Sequence, residues 1–483
     1  MSDDPHEGAR ERLARLLDDR RAVARLAVLL LVVTLTGVGA ADTAAYERPR
    51  VAPGTIEAPA AGETVISVQG DNIGGDVNPN KPARLVGVGP RGETRWRVAQ
   101  SALNVSWFYD VDPLPDGDLL VVGTVDRRTR VMRLDGDTRG VEWTETLPLW
   151  DTHDVTLTSE GNLLVANMRN TNDGTSDDRV FVYNRTTGGV EWEWLFREHY
   201  PEDTDEGVSS GDWTHVNDVD VIAEDLYLLS PRNFDQIVVV NRSTDEVVMR
   251  LGADGNHSML DEQHNPAYLQ TEAGAPAMLV ADSENDRVIE YTCDRADPDH
   301  PLDGDMEPNC DWERTWSVGG FEWPRDADRL PNGNTLVTDT IEHRVVEVTP
   351  RGEVVWEYHA PWLPFDAERP VHGREAGGPA MRDLNVSGAF TAHDAGAATA
   401  DTAGADGSAL AALPGYGVVV EAGETVQGVL PWLRPVWMPA SGFLLFAAAG
   451  LVVLCWGAAE AWLARDQLRR RLAGLRGRSR APE

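Results

Sequence analysis

Three histidines, two arginines and an asparagine in this 483-residue chain fall at related positions of a repeating pattern, and together they suit the transfer of an oxyanion group. Five segments open on a polar or aromatic residue and run on into an aliphatic pair. They are Tyr109-Asp110-Val111 to Leu119-Leu120, His153-Asp154-Val155 to Leu163-Leu164, His215-Val216-Asn217-Asp218-Val219 to Leu228-Leu229, His264-Asn265-Pro266 to Leu279-Val280, and Arg325-Asp326-Ala327 to Leu336-Val337. A neutral imidazole can attack as a nucleophile or carry a proton, and a guanidinium offers a planar fork to two oxygens. Fixed cations beside neutral imidazoles suit sulfate or phosphate groups, whose transfer depends on positioning and on stabilising charge spread over three oxygens. No magnesium-binding or phosphate-cradling glycine motif accompanies them, which argues against a nucleotide donor, and no cofactor is expected. A single histidine at a strand start is ordinarily structural. Three that the fold brings to one place are a site.

Convergence requires a fold in which equivalent positions meet. A repeat of about 40 to 60 residues holding four short strands is the mark of a β-propeller. The first strand of each blade lines the central channel, so His153, Asn217, His264 and Arg325 form a ring, with His215 two residues before Asn217 on the same strand face. Arg232 lies just past the second strand of the His215 blade, and an antiparallel hairpin returns it to the same rim. Asn217 and Arg325 are candidate substrate ligands; for Arg325 a structural salt bridge in the channel is an equal alternative. Val180–Tyr183 with Val190–Trp194, Ile237–Asn241 with Val247–Leu251, and Val345–Val348 with Val354–Tyr358 complete blades. Turns such as Pro115-Asp116-Gly117 and Pro331-Asn332-Gly333-Asn334 join first strands to second. A segment from Val65 to Val98, a blade with a weak start, makes six. The expectation is an all-β, six-bladed β-propeller over residues 62–361 flanked by N- and C-terminal transmembrane helices, with the blade pattern stopping after Pro361.

Forty-three basic residues face 79 acidic ones, for a formal charge of −36, and Lys81 is the only lysine. Such acidity excludes nucleic acid as a partner and fits a salt-loving microbe, where screening shortens the reach of self-repulsion. Residues 26–41 are uncharged and form a transmembrane helix or signal anchor, ending in Val38-Gly39-Ala40-Ala41 like a cleavable signal. Residues 436–463 are long enough to cross about 30 Å of hydrocarbon, with Glu460 their one charge. Arginines lie outside both stretches, so residues 1–25 and the basic tail 464–483 are expected in the cytoplasm and the propeller outside the cell membrane. Residues 383–432, rich in Ala, Gly, Asp and Thr, read as a flexible linker. Of three cysteines, Cys293 and Cys310 bracket a Pro/Asp-rich insertion and suit a disulfide worth about 3 kcal/mol. No CxxC spacing exists, and no metal site is expected. Sequons at Asn104, Asn184, Asn241, Asn256 and Asn385 would be accessible outside the cell.

Asp212-Trp213-Thr214-His215-Val216-Asn217, followed by Leu228-Leu229-Ser230-Pro231-Arg232 and Gln263-His264, resembles the arylsulfate sulfotransferases, in a haloarchaeal-type, membrane-anchored form. The resemblance covers about Asp110 to Tyr358. It implies a six-bladed enzyme that moves a sulfuryl group from an aryl sulfate donor to a phenolic or other hydroxyl acceptor. It also implies that His264 is transiently sulfated, that His215 and Arg232 bind the sulfuryl oxygens, and that His153 contributes to the pocket. Asn265 stands where the family has an aspartate, removing an acid that would orient the imidazole.

Two other readings fit the sequence. One is a non-catalytic surface propeller that binds a glycan or protein partner. The other is a quinone-cofactor propeller, since Val141-Glu142-Trp143, Val190-Glu191-Trp192 and Val354-Val355-Trp356 resemble Trp-terminated repeats, although these tryptophans also suit packing between blades. The arginine distribution generates a test of topology: protease added to intact cells is expected to remove the body and spare the tail. Cleavage of the tail from outside would overturn that orientation.

Overall fold

The computed structural model describes residues 20–71, 78–294, 310–374, 377–394, 430 and 432–478. The chain divides into two compact units, residues 1–48 with 425–483, and residues 49–424. The first unit contains helices Arg20–Ala45 and Ala440–Arg478 packed side by side. Each carries a stretch long and apolar enough to cross a membrane, Ala22–Ala45 and Ala440–Trp462. A Cβ added at Gly39 would stand 3.3 Å from the Gly442 carbonyl oxygen, so these backbones approach closely where side chains are smallest. Glu460, the charge inside the second stretch, is gripped by the Arg25 fork at 2.7 and 2.8 Å. The second helix runs on through the arginines expected to form a separate tail, up to Arg478. Residues 1–19 and 479–483 of the expected tails lie outside the described residues.

The second unit is a six-bladed β-propeller. Blades 2 to 6 begin with inner strands at Trp107, Val155, Val216, His264 and Pro324, and each continues outward through three antiparallel strands. The hydrophobic core lies between neighbouring blades. One cluster joins Leu164, Val180 and Trp194 of blade 3 to Val216, Tyr227 and Val238 of blade 4, all buried. Outer-strand tryptophans stitch three of the blades to the next at the same point. The indole of Trp194 donates to the Asp245 carbonyl at 3.0 Å, that of Trp316 to Pro350 at 2.8 Å, and that of Trp356 to Pro90 at 3.2 Å, each acceptor being in the outer hairpin of the following blade. The tryptophans of the recurring Trp-terminated motif also contact the next blade. Trp143 lies under the Arg185 guanidinium at 3.5 Å, and Trp192 meets the Tyr227 ring at 5.2 Å.

Blade 1 explains its weak start in the sequence. Its inner strand is Pro364–Glu368, which pairs antiparallel with Thr64–Val68, so the blade is built from both ends of the propeller segment. At the other edge, Ala52–Ile56 pairs with the outer strand of blade 6. The pattern therefore does not end at Pro361: a lone closing strand has no sequence-adjacent hairpin partner to mark it. Residues 388–391 and 393–394 of the linker expected from residue 383 are strands instead. Gly388–Thr391 adds parallel to Asp311–Gly319 and His393–Asp394 adds to Glu353–His359, covering two blade edges that would otherwise expose unpaired backbone. Residues 395–429 of that expected linker lie outside the described residues. Cys293 and Cys310 are joined by a disulfide with their Cα atoms 5.5 Å apart.

Closure through Pro364–Glu368 generates a stability test. Ala367 is fully buried in the core between blades 6 and 1, so Ala367→Asp places an unpaired carboxylate in the seam. We expect the thermal midpoint to fall by about 5 °C or more. Ala389→Asp, on an exposed strand, is expected to change it little. Equal effects of the two substitutions would contradict a closure role for the strand.

Candidate active site

The channel mouth is assembled by one device used repeatedly. Five inner strands are approached through a residue in the left-handed region: Asp151 (φ 64°), His215 (φ 42°), Glu262 (φ 45°), Trp323 (φ 56°) and Leu363 (φ 60°). Two residues after each stands a ring residue, respectively His153, Asn217, His264, Arg325 and Phe365, and Tyr109 takes the sixth place. Backbone register shifts follow at Phe108/Val111, Val216/Val219, His264/Ala267 and Pro324/Asp326, where bulges re-aim side chains that regular strands would alternate. Non-glycine residues in this conformation are uncommon, and their concentration at one mouth marks a site held by its surroundings.

The sequence-derived residues meet there. The His153 and His215 rings lie 5.2 Å apart, edge to face, and His153 packs on Tyr109 at 4.4 Å and Phe365 at 5.3 Å. The Arg325 guanidinium lies over Trp323 at 4.2 Å and Phe365 at 4.8 Å, and His264 sits 6.0 Å from the Trp323 ring. Arg232 stands at the rim, its Nε donating to the Asn233 side chain at 3.0 Å and its terminal nitrogen 3.3 Å from Glu262. Asn217 donates to the Gln263 carbonyl at 2.8 Å, while its Oδ1 is buried with no hydrogen-bond partner among the described residues.

Hydrogen bonds fix the protonation of two imidazoles. His264 Nδ1 lies 2.8 Å from Ser283 Oγ, and that hydroxyl lies 2.7 Å from the Pro324 carbonyl. A carbonyl can only accept, so it takes the serine proton, and His264 Nδ1 must be the donor to Ser283. The proton is then on Nδ1 and the Nε2 lone pair is free; Nε2 is buried without a hydrogen-bond partner among the described residues. His215 repeats the arrangement with a carboxylate, its Nδ1 donating to Asp212 at 2.9 Å and its Nε2 unpartnered. Asp212 in turn receives the Arg169 fork at 2.9 and 2.8 Å, Arg169 pairs with Asp151, and Asp151 accepts the Tyr109 hydroxyl.

Electrostatics keep these rings neutral. Burial, then the Arg325 and Arg232 charges, hold His264 well below the ordinary histidine range. Burial and the neighbouring His215 act likewise on His153. Burial and Arg232 depress His215 to about 4 despite its bond to Asp212. Burial also lowers Arg325 to about 9. A guanidinium remains charged under such pressure. Arg325 has no salt bridge among the described residues; its Nη1 donates to the neutral Gln69 side chain at 2.8 Å and its Nε is unpartnered. Among the described residues Arg325 thus forms no salt bridge, although the Asp151 and Glu284 charges act on it from beyond contact distance.

Several contributors were not read from the sequence. Ser283 and Gln69 each directly follow the second strand of their blades, as Arg232 does, and Arg169 follows two residues after its own. The hairpin reasoning used for Arg232 thus locates Ser283 and Gln69 as well. Phe365-Asp366-Ala367 repeats the opening of Arg325-Asp326-Ala327, which would have revealed the closing strand.

Fold and site define a six-bladed propeller whose channel mouth combines neutral imidazoles, two of them held in one tautomer, with a buried guanidinium that has no salt bridge among the described residues. The family model for arylsulfotransferases (ASST) matches residues 65–289, a span that contains His153, His215, Arg232, His264 and Ser283 but not Arg325. No curated protein matches the chain. Among solved structures, a protein of unknown function from Bacteroides caccae is 12% identical over 69% of this chain and 98% of its own, with a TM-score of 0.39. Virginiamycin B lyase from Staphylococcus aureus is 10% identical over 53% of this chain and 70% of its own, at 0.32. Kuenenia stuttgartiensis hydrazine synthase is 10% identical over 57% and 76%, at 0.34.

The Ser283 hydrogen bond generates a spectroscopic test. Nitrogen-15 spectra of the wild type are expected to show His264 protonated on Nδ1 alone between about pH 5 and 8. Ser283→Ala removes the acceptor and is expected to mix the two tautomers. A proton on Nε2 in the wild type would overturn the assignment.

Proposed function

We propose that this protein transfers a sulfuryl group from an aryl sulfate donor to a phenolic or other hydroxyl acceptor through a sulfohistidine at His264, without a nucleotide donor. The observation that carries this reading is the His264 imidazole, buried and neutral, with Nδ1 bonded to Ser283 and Nε2 free beside Arg325. The family match over residues 65–289 supports it.

In the first half-reaction the Nε2 lone pair attacks the donor sulfur, the bond from sulfur to the aryl oxygen breaks, and the phenolate departs with that electron pair. Arg325 and Arg232 hold the sulfuryl oxygens, and the charge developing on the imidazole is carried by Nδ1–H donating to Ser283. In the second half-reaction the acceptor hydroxyl gives its proton to the free Nε2 of His215. Its oxygen then attacks sulfur, the sulfur–nitrogen bond breaks, and the electron pair returns to His264. Asp212 and Arg169 hold His215 in the tautomer that leaves this nitrogen able to accept. Tyr109, Phe365 and Trp323 supply aromatic surface to the donor ring. Both apolar helices anchor the enzyme, with the propeller outside the cell and both termini cytoplasmic, as the flanking arginines favour.

His264→Ala is expected to abolish transfer and leave no sulfated enzyme. Arg232→Ala should slow transfer by about a hundredfold, with little recovery in Arg232→Lys, whose point charge cannot grip two oxygens in a plane. In high salt the rate is expected to stay level as pH falls, then to drop near pH 4, where His215 Nε2 takes up a proton and stops serving as base. Mass spectrometry after brief incubation with donor alone, under alkaline conditions, should find the adduct on the peptide containing His264. Turnover surviving in His264→Ala would sink the proposal.

A further inference from the structure

One residue beyond the channel-mouth ring, five of the six inner strands carry an acid: Asp110, Asp154, Asp218, Asp326 and Asp366, with Asn265 in the sixth place. Two residues further on come Asp112, Asp220, Asp328 and Glu368. All of these side chains except Asp154, together with Arg374, line one cavity of about 30 Å³, room for a water-sized occupant. Arg374 is the single cationic side chain in that lining, and it pairs with Asp112 at 2.7 Å and with Asp220. Asp110, Asp154, Asp326, Asp366 and Glu368 have no ion pair among the described residues. Charges of one sign packed out of water are strongly unfavourable unless neutralised.

Three of the carboxylates already form a converging set. Oxygens of Asp110 and Asp112 from blade 2 and Asp154 from blade 3 lie within 4.8 Å of one another, all three residues being buried. A second observation points to a ligand for this set. Glu368, only 7% exposed, lines the cavity with a carboxylate that makes no hydrogen bond or ion pair among the described residues, and Asp110 Oδ2 and Asp154 Oδ1 are buried with no hydrogen-bond partner beyond each other's carboxyl group. We propose that this channel floor binds one hard divalent cation, calcium by preference, through carboxylate oxygens of Asp110, Asp112 and Asp154. Oxygen-only ligands from a ring of strands suit calcium's flexible coordination better than the strict octahedron of magnesium. No contiguous motif announces such a site, because its ligands come one or two at a time from separate blades. The proposal is independent of the sulfuryl chemistry, and its test needs no turnover.

The full chain would be stripped with a chelator in molar potassium chloride, which suppresses binding to the acidic surface, and titrated with calcium chloride or magnesium chloride. Calorimetry should give one calcium site per chain, and the thermal midpoint should rise by about 5 °C at calcium a hundredfold above its dissociation constant. Asp110→Asn/Asp154→Asn removes both the ligands and the repulsion. In chelator this variant should melt at or above the wild type, and in calcium below it, so the order of stability inverts. Asp118→Asn/Asp135→Asn, in a cluster nearer the surface, should behave as wild type. Should the channel variant fail to fold, terbium luminescence on the wild type provides the second measurement, with one calcium-displaceable ion per chain expected. No saturable site, or a site lost only in the Asp118/Asp135 variant, would overturn the proposal.

Discussion

Closure of the ring through the pairing of Pro364–Glu368 with Thr64–Val68 is the constraint on which the rest of the propeller depends. Sheets expose unpaired backbone at their edges, and a propeller limits that exposure by packing blades around an axis until the last meets the first. Here the last strand of the propeller supplies the innermost strand of the first blade. That strand sets Phe365 against Tyr109, His153 and Arg325, so the same pairing that completes the fold completes the wall of the channel mouth. Tryptophan bonds to the outer hairpins of the following blades add to this at three of the six junctions.

Within this frame the channel has two poles of opposite chemistry one residue apart along each strand. The mouth gathers imidazoles kept neutral by burial and by nearby guanidinium groups, whereas the floor gathers carboxylates. In a protein of formal charge −36, Arg325 nevertheless makes its hydrogen bond to the neutral Gln69, while Arg232 pairs with Glu262 at the rim. The network from Tyr109 through Asp151, Arg169 and Asp212 to His215 consumes the acids nearest the mouth in fixed pairs. The two proposals accordingly assign an anion to one level and a cation to the next.

The amino-acid sequence by itself determined the number and phase of the repeats, since strand alternation, turn glycines and recurring openings are local properties. It therefore placed His153, Asn217, His264 and Arg325 in one ring and Arg232 on its rim. It also determined two apolar stretches and the excess of acid. It did not mark the closing strand, because Phe365-Asp366-Ala367 stands without a hairpin partner next to it in sequence and resembles the other openings only once their alignment is known. Tertiary structure alone decided which nitrogen of His264 carries the proton, because that follows from Ser283 being held by the Pro324 carbonyl of the next blade. It also decided that Arg325 meets Gln69 rather than an acid, across nearly the whole length of the propeller segment. The physical reason is the same in each case: repeat phase is written in neighbouring residues, but the partners that set tautomer and charge come from different blades and meet only when the ring closes.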